Sequence, residues 1–526
     1  MAGDEYAAVE GGWGEVEISF TADGDLDNPY VDVEFWVEFI HDDRTVIRRP
    51  GFWRGGHEFA VRFASGGRLG RWTWRSHSSP VVAGLDGCHG SVHVEGPARG
   101  GGRFARHGFW RMSDGGRSLV HADGTPAILV ADTAWALPWR AMPEDARHYA
   151  ARRAAQGFNA VLLMSVQPDM DAEGPDRRDA DGGFARGFFD LPSGHLSQLN
   201  PEYFDTLDEL VGILRAADIV PVLQPVFFGW GWKGLRVAGP VLPLDEYARY
   251  CRYLVARYGA GPVMYLVGAD GSGHEPQVAA GGAEIQAWDA YAQPTGIHYR
   301  PHARGDAHQE ADWLDFQWCQ TGHEAEHVPE RVAVMAQARP VKAVANGEPT
   351  YENSGVVGKA TGWWQGHEAW SNLCAGGTMG VVYGAGSLWQ WVIRRGEPGH
   401  GEYFMAPGAD WRDALEFEGA HHVGLMSHIL GGLPTTDMTP NWEAALCGRG
   451  LSVPGRLHIL YVDTARPVIV MAADTLPRYF RIVDPRTGAV LDAGDLGPRP
   501  EPSYQMSTAH HLDRGPRLVI FTADRD

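Results

Sequence analysis

The sequence predicts a multidomain protein in which a central (β/α)8 TIM barrel is flanked by an N-terminal and a C-terminal β-sandwich. Three observations carry this. Near both ends, short stretches alternate apolar and polar residues with period two, the mark of half-buried strands. Between about 126 and 391, eight short apolar runs alternate with longer helical stretches, as repeated βα units do. The 526 residues, at roughly 150 per domain, leave room for about three domains. The expected boundaries are 1–99, 100–428 and 429–526.

In the first region Val31–Phe39 alternates strictly, and Phe59–Phe63 and Gly70–Ser76 look similar, with glycine-rich turns between them. This is a sandwich of immunoglobulin-like size. The run Gly96-Pro97-Ala98-Arg99-Gly100-Gly101-Gly102 cannot hold regular structure and marks a boundary. The barrel strands are then Ala127–Ala131, Ala160–Ser165, Val220–Gln224, Val263–Gly268, Gly296–Tyr299, Leu314–Trp318, Lys342–Ala345 and Gly380–Tyr383, each expected to lead into a helix. Helices are legible at Pro143–Gln156, Pro201–Ala217 and Leu244–Tyr258, two of them opening on proline. An open doubly wound sheet fits less well, because no Gly-x-Gly-x-x-Gly turn follows the first strand. The β texture returns at Leu457–Val462, Val468–Met471, Tyr479–Val483 and Leu518–Phe521, with a turn at Pro485-Arg486-Thr487-Gly488.

Composition narrows the partners. With 45 basic and 66 acidic residues the formal net charge is −21, a field that repels phosphate backbones and anionic lipid heads. No nucleic acid or membrane partner is expected, and no stretch approaches a bilayer span. Twenty tryptophans suggest aromatic platforms for flat ligand faces, although sandwich cores consume tryptophan too. The cysteines, Cys88, Cys251, Cys319, Cys374 and Cys447, are odd in number and far apart, which argues against a disulfide framework and a structural zinc site. Met1–Glu5 lacks the charged and apolar regions of a signal peptide. The simplest expectation is a cytoplasmic protein, or a secreted one whose leader has been removed. A homo-oligomer is compatible with the sequence, which leaves the oligomeric state open.

In a (β/α)8 barrel the chemistry lies at the C-terminal ends of the strands. Those ends carry Asp132 and Trp135, then Gln167, then Gln224 ahead of Phe227-Phe228-Gly229-Trp230, then Asp270. His298, Arg300 and His302 follow, then Gln320 and His323, then Glu348 and Tyr351, and finally Tyr383 and Trp389. Amides and carboxylates bind hydroxyls and indoles stack on sugar rings, so a carbohydrate substrate is expected, with no cofactor and no metal. Asp270 on strand four and Glu348 on strand seven face each other across the mouth. Glycoside hydrolysis needs one carboxylic acid to protonate the leaving oxygen and one carboxylate to attack the anomeric carbon. Glu348 is assigned as nucleophile and Asp270 as acid/base. The acid/base role requires a raised pKa for Asp270, through desolvation and the charge of Glu348. Glu352 is a candidate partner behind Glu348. Asp169, Asp171 and Asp176 form an acidic loop that lacks the spacing of an EF-hand.

The stretches Asp132-Thr133-Ala134-Trp135, Arg152…Gly157-Phe158-Asn159-Ala160 and Asn346-Gly347-Glu348-Pro349…Tyr351-Glu352 resemble the apiosidase-like (β/α)8 glycosidases, glycoside hydrolase family 140 and its relatives. Ala375-Gly376-Gly377…Gly380…Tyr383-Gly384…Trp389 fits as well, so the resemblance covers about 105 to 395. The flanking regions resemble that family's partners, an immunoglobulin-like module and a C-terminal β module of collagen-binding type. The resemblance implies an exo-acting retaining glycosidase with a strand-four Asp and a strand-seven Glu, matching Asp270 and Glu348. Ala269 stands where those relatives carry glycine.

Two other readings compete. One is a carbohydrate-binding barrel that has lost catalysis, against which both carboxylates stand. The other is a zinc-dependent hydrolase, because His323-Glu324-Ala325-Glu326-His327 matches His-Glu-x-x-His. Pro329, two residues beyond, disrupts the helix such a site requires.

Overall fold

The computed structural model describes residues 6–96, 101–171, 185–229, 236–301, 303–322, 329–353, 361–397, 408–442, 449–463, 468–471, 477–495, 503–506 and 515–525. The N-terminal strands are β1 (Tyr6–Glu10), β2 (Val16–Thr21), β3 (Glu34–His41), β4 (Val46–Gly55), β5 (Glu58–Phe63), β6 (Gly70–Ser79) and β7 (His89–Glu95), in the spatial order β1-β7-β6-β3-β4-β5-β2. Strand β4 serves two layers: its first half pairs with β3 and its second half with β5. The sheet therefore folds over itself and closes on Val37, Phe39, Phe59, Val61, Trp72 and Val92. Phe39 and Phe63 stack with ring centroids 4.0 Å apart. The strand expected over Val31–Phe39 starts later, at Glu34. Pro29–Asp32 form a helical turn instead, held by the Asn28 N–H donating to Asp32 Oδ2 at 2.9 Å.

A three-stranded antiparallel sheet, β8 (Trp110–Met112), β9 (Leu119–His121) and β10 (Pro126–Ala127), leads into the barrel. The staves are β11 (Leu129–Thr133), β12 (Ala160–Met164), β13 (Val220–Gln224), β14 (Met264–Leu266), β15 (Thr295–His298), β16 (Phe316–Gln320), β17 (Ala343–Glu348) and β18 (Gly380–Val382). All pair in parallel, and β18 closes on β11 through Leu129 opposite Gly380. The outer helices are α1 (Pro143–Gln156), α2 (Pro201–Ala216), α3 (Leu244–Tyr258), α4 (Pro276–Trp288), α5 (Pro329–Gln337), α6 (Trp363–Cys374) and α7 (Glu418–Leu430). Their starts follow local rules: α1 has proline in its first turn with Glu144 and Asp145, and ends on Gly157 in the left-handed region.

The barrel departs from strict alternation once. Among the described residues no α-helix joins β15 to β16. Pro301 removes a backbone donor there and Gly305 takes φ +65°, so turn chemistry wins over helix. Trp313 covers the gap by lying on Gly282 of α4, where a β-carbon would come within 2.3 Å of its ring.

The C-terminal strands are β19 (Thr439–Pro440), β20 (Arg449–Val453), β21 (Leu457–Val462), β22 (Val468–Met471), β23 (Tyr479–Val483), β24 (Val490–Asp495), β25 (Ser503–Met506) and β26 (Arg517–Thr522). Six make one sheet in the order β19-β20-β21-β26-β23-β24, while β22 and β25 pair separately. This module meets the barrel at α6, where His367 Nδ1 lies 2.8 Å from the Tyr461 hydroxyl and Trp442 Nε1 donates to the Cys374 carbonyl. Among the described residues no helix is long and apolar enough to cross a membrane.

Candidate active site

Glu348 ends β17 and is 1% exposed. The pairing of β16 with β17 slips here: Cys319 sits opposite Asn346, but Gln320 sits opposite Glu348, leaving Gly347 as the extra residue. A β-carbon on Gly347 would come within 2.4 Å of the Trp318 ring, so glycine is what lets the irregularity form under that indole. Behind it, the Asn346 amide meets the Thr321 hydroxyl at 2.9 Å, and Thr321 donates to Glu368 at 3.0 Å. Glu368 also accepts the Thr350 N–H at 3.1 Å. A buried carboxylate on α6 thus fixes the ends of both staves.

His298 ends β15 and is fully buried, with Nε2 3.1 Å from Glu348 Oε2 and Nδ1 3.1 Å from Gln224 Oε1. The ring is thus held between the Gln224 side-chain oxygen and the Glu348 carboxylate, with Nε2 toward Glu348. Tyr351 lies on the same carboxylate. Burial, and then the charge of Glu348, raise its phenol well above the ordinary value, with Asp270 adding in the same direction.

Asp270 follows β14 and is also fully buried. Its backbone takes φ +56°, a conformation costly for any side chain but tolerated best by Asp and Asn. Two neighbours over-determine it. The Asp270 N–H donates to the His298 carbonyl at 3.0 Å, and the Phe228 N–H donates to the Ala269 carbonyl at 2.9 Å. His298 therefore touches both carboxylate-bearing segments, one through its ring and one through its backbone.

Around this pair stands an aromatic wall. Trp135 lies edge-on to Phe227 at 5.4 Å, to Trp389 at 5.5 Å and to His298 at 6.4 Å, and Tyr351 lies 6.2 Å from Trp389. Gln167, Gln224 and Gln320, all buried at strand ends, each keep one amide atom with no hydrogen bond among the described residues: Gln167 Oε1, Gln224 Nε2 and Gln320 Oε1. Buried amides left unpaired are costly unless a ligand completes them.

Several expected site residues belong elsewhere. Asp132 points away from the barrel interior to α1: it accepts from Arg153 Nε at 2.6 Å, from the Tyr149 hydroxyl at 2.9 Å and from the Thr133 N–H at 2.8 Å. It is a buried ion pair locking helix to strand, so its placement among substrate ligands is corrected. Tyr383 is corrected likewise. Its hydroxyl donates to Glu352 at 2.7 Å and its ring lies under Arg153, while burial and Glu352 raise its pKa well above the usual value. Glu352 in turn accepts the N–H groups of Gly362 and Gly419, which occupies it in holding loops together. Arg300 is exposed, and among the described residues His298 is the strand-five side chain that meets Glu348. Asp171 pairs with Arg236 at 2.7 Å on the surface. Trp230, His302, His323 and the whole His323–His327 motif, and Asp176, lie outside the described residues. Among the described residues no group of three or more His, Cys, Asp or Glu is arranged to hold a metal ion.

The sequence reasoning passed over Phe227 and Trp318, whose rings pack against Trp135 and His298, and over the Glu368 clasp. The aromatic run after Gln224 was a usable signal for Phe227. Glu368 had none, because its partners Thr321 and Thr350 lie 47 and 18 residues away.

Buried carboxylates just past the fourth stave and at the end of the seventh, in a closed parallel barrel and walled by indoles and amides, suit a barrel glycoside hydrolase. The apiosidase-like catalytic domain matches residues 113–437, more than half of the chain, and the chain belongs to that family. A domain of unknown function, DUF5060, matches residues 11–79 in the first sandwich. Among solved structures, one described as a glycoside hydrolase aligns with TM-score 0.65 and 20% identity, over 80% of this chain and 98% of its own. A family 5 glycoside hydrolase from Bacteroides vulgatus ATCC 8482 aligns with TM-score 0.65 and 18% identity, over 79% and 94%. A second protein of that organism, assigned as a glycoside hydrolase, aligns with TM-score 0.69 and 17% identity, over 98% and 100%. At these identities the likeness is one of fold. No curated protein matches the chain by sequence.

Proposed function

We propose that this glycosidase works by double displacement with net retention, Glu348 attacking and Asp270 supplying and recovering the proton. The observation that carries the reading is His298, whose ring lies against Glu348 while its carbonyl holds the Asp270 N–H. In the first step a Glu348 oxygen bonds to the anomeric carbon, the bond to the leaving oxygen breaks, and the Asp270 proton passes to that oxygen. In the second, water adds to the anomeric carbon, gives its proton to Asp270, and releases Glu348. Cleavage takes a terminal sugar. Both carboxylates are almost wholly enclosed, which suits a pocket that admits a chain end better than an open cleft. Trp135 and Trp389 supply ring faces, and the incomplete amides of Gln167, Gln224 and Gln320 match a neutral, hydroxyl-rich sugar.

A screen of aryl glycosides and of plant and bacterial oligosaccharides, followed by NMR of the first-formed anomer, tests this. Retention is expected, with Glu348→Gln losing at least about 10³-fold in kcat. Inversion, or full activity in the variant, contradicts it.

A further inference from the structure

We infer that Gly229 is a positioning residue for the acid/base, its missing side chain being the space against which the Asp270 carboxylate is set. The inference rests on the reading of Asp270 as proton donor. A β-carbon at position 229 would lie 2.5 Å from Asp270 Oδ2, 2.7 Å from the Asp270 carbonyl oxygen and 3.0 Å from its Cγ. Contacts that short do not occur between a β-carbon and its neighbours, so either residue 229 has no side chain or Asp270 stands elsewhere.

The backbone of Gly229 is outside the left-handed region, so conformation does not demand glycine there. Space does. The segment is also carried to Asp270 by design of the fold rather than by a loose loop. Past the end of β13, Phe227 bridges to Ala269 in parallel, the Phe228 N–H donates to the Ala269 carbonyl at 2.9 Å, and the Gly239 N–H donates to the Phe227 carbonyl at 3.0 Å. On its other side Asp270 is held by the His298 carbonyl, and Gly271 bridges to Tyr299.

Asp270 is thus clamped between two strand extensions with its main chain at φ +56°. Such a backbone has little freedom to retreat. A methyl group on residue 229 meets the carboxylate and the carbonyl oxygen of Asp270 alike, so its relief takes rotation of the Asp270 side chain together with a local backbone shift, and both turn the proton away from the leaving oxygen. A misplacement of about 1 Å costs on the order of 10²-fold in a positioned reaction. The loss in kcat/KM falls on substrates whose leaving group needs the proton and spares those whose leaving group does not.

The test compares Gly229→Ala with Asp270→Asn on two aryl glycosides of one sugar, a phenol of high pKa and a dinitrophenol that leaves without protonation. Asp270→Asn is expected to lose about 10³-fold in kcat/KM on the poor leaving group and far less on the good one. Gly229→Ala is expected to show the same asymmetry, about 10²-fold against about threefold, with a lowered melting temperature because the Asp270 carbonyl must give way as well. If Asp270→Asn shows no dependence on the leaving group, the acid/base assignment itself is wrong. If it does and Gly229→Ala slows both substrates equally or neither, Asp270 stands and the role of Gly229 is overturned. Should Gly229→Ala fold poorly, the double variant Gly229→Ala/Asp270→Ala decides. Contact between the two predicts recovery of part of the lost melting temperature, and additive losses overturn it.

Discussion

Asp132 and Gln224 both end near the top of a barrel stave, yet only Gln224 reaches the site. In an alternating strand the polar face is visible, but staves β11 and β13 are buried on both sides, so the sequence shows where a polar residue sits and not which way it points. The strand-end rule therefore selected Asp132 and Tyr383 along with Gln224 and Glu348. The structure sorts them by partner. Asp132→Asn should leave KM untouched and lower stability by about 3–5 kcal/mol in urea unfolding, because it strands the fully buried Arg153. Loss of substrate affinity without loss of stability would return Asp132 to the site. At Asp270 the backbone makes its own prediction. Asn tolerates the left-handed conformation and should keep the melting temperature, whereas Asp270→Ala should lower stability by about 1 kcal/mol.

At the scale of elements, β13, α1 and α3 lie where the sequence placed them, since apolar runs of five residues and well-formed helix starts are local signals. β17 runs three residues beyond its expected end, to Glu348, because Trp318 on the neighbouring stave accommodates the irregularity at Gly347, a contact no local pattern carries. The missing fifth helix was misread for a related reason: Trp313 replaces it by tertiary packing. The clasp between α6 and the staves predicts that Glu368→Gln costs about 1–3 kcal/mol, measurable by chemical unfolding, since one buried donor loses its carboxylate. Below β15, Asp315 accepts the Thr295 N–H at 2.9 Å, and burial raises its pKa to about 6. The folded state therefore binds this proton more tightly than the unfolded chain. Its contribution to stability is full below the ordinary carboxylate value near 4 and falls as pH rises to about 6, by up to about 3 kcal/mol. Asp315→Asn should flatten that part of the stability–pH curve.

Over the whole molecule, the order of sandwich, barrel and sandwich was legible from texture, because period-two strands and βα units look different over tens of residues. The way the first sandwich docks was not, because it joins residues far apart in the chain. Arg49 donates to the Val255 carbonyl at 2.8 Å, and Arg62 donates to the Arg257 carbonyl at 2.6 Å and to Asp208 at 2.5 Å. These guanidinium groups meet the C-terminal carbonyls of α3, the negative end of a helix. Burial pushes the pKa of Asp208 up, but Arg257 and Arg62 outweigh it and hold the carboxyl below its ordinary value. Arg49→Ala/Arg62→Ala should split the calorimetric transition, with the sandwich melting first, while a single unshifted transition would mean the docking rests elsewhere. The reaction itself is decided most directly by trapping. An activated 2-deoxy-2-fluoro glycoside of the preferred sugar should inactivate the enzyme with one sugar bound per chain. Mass spectrometry of the digested protein should find that sugar on the peptide carrying Glu348, specifically on that residue. A label on Asp270 or Glu352, or turnover with no covalent adduct, would contradict the account.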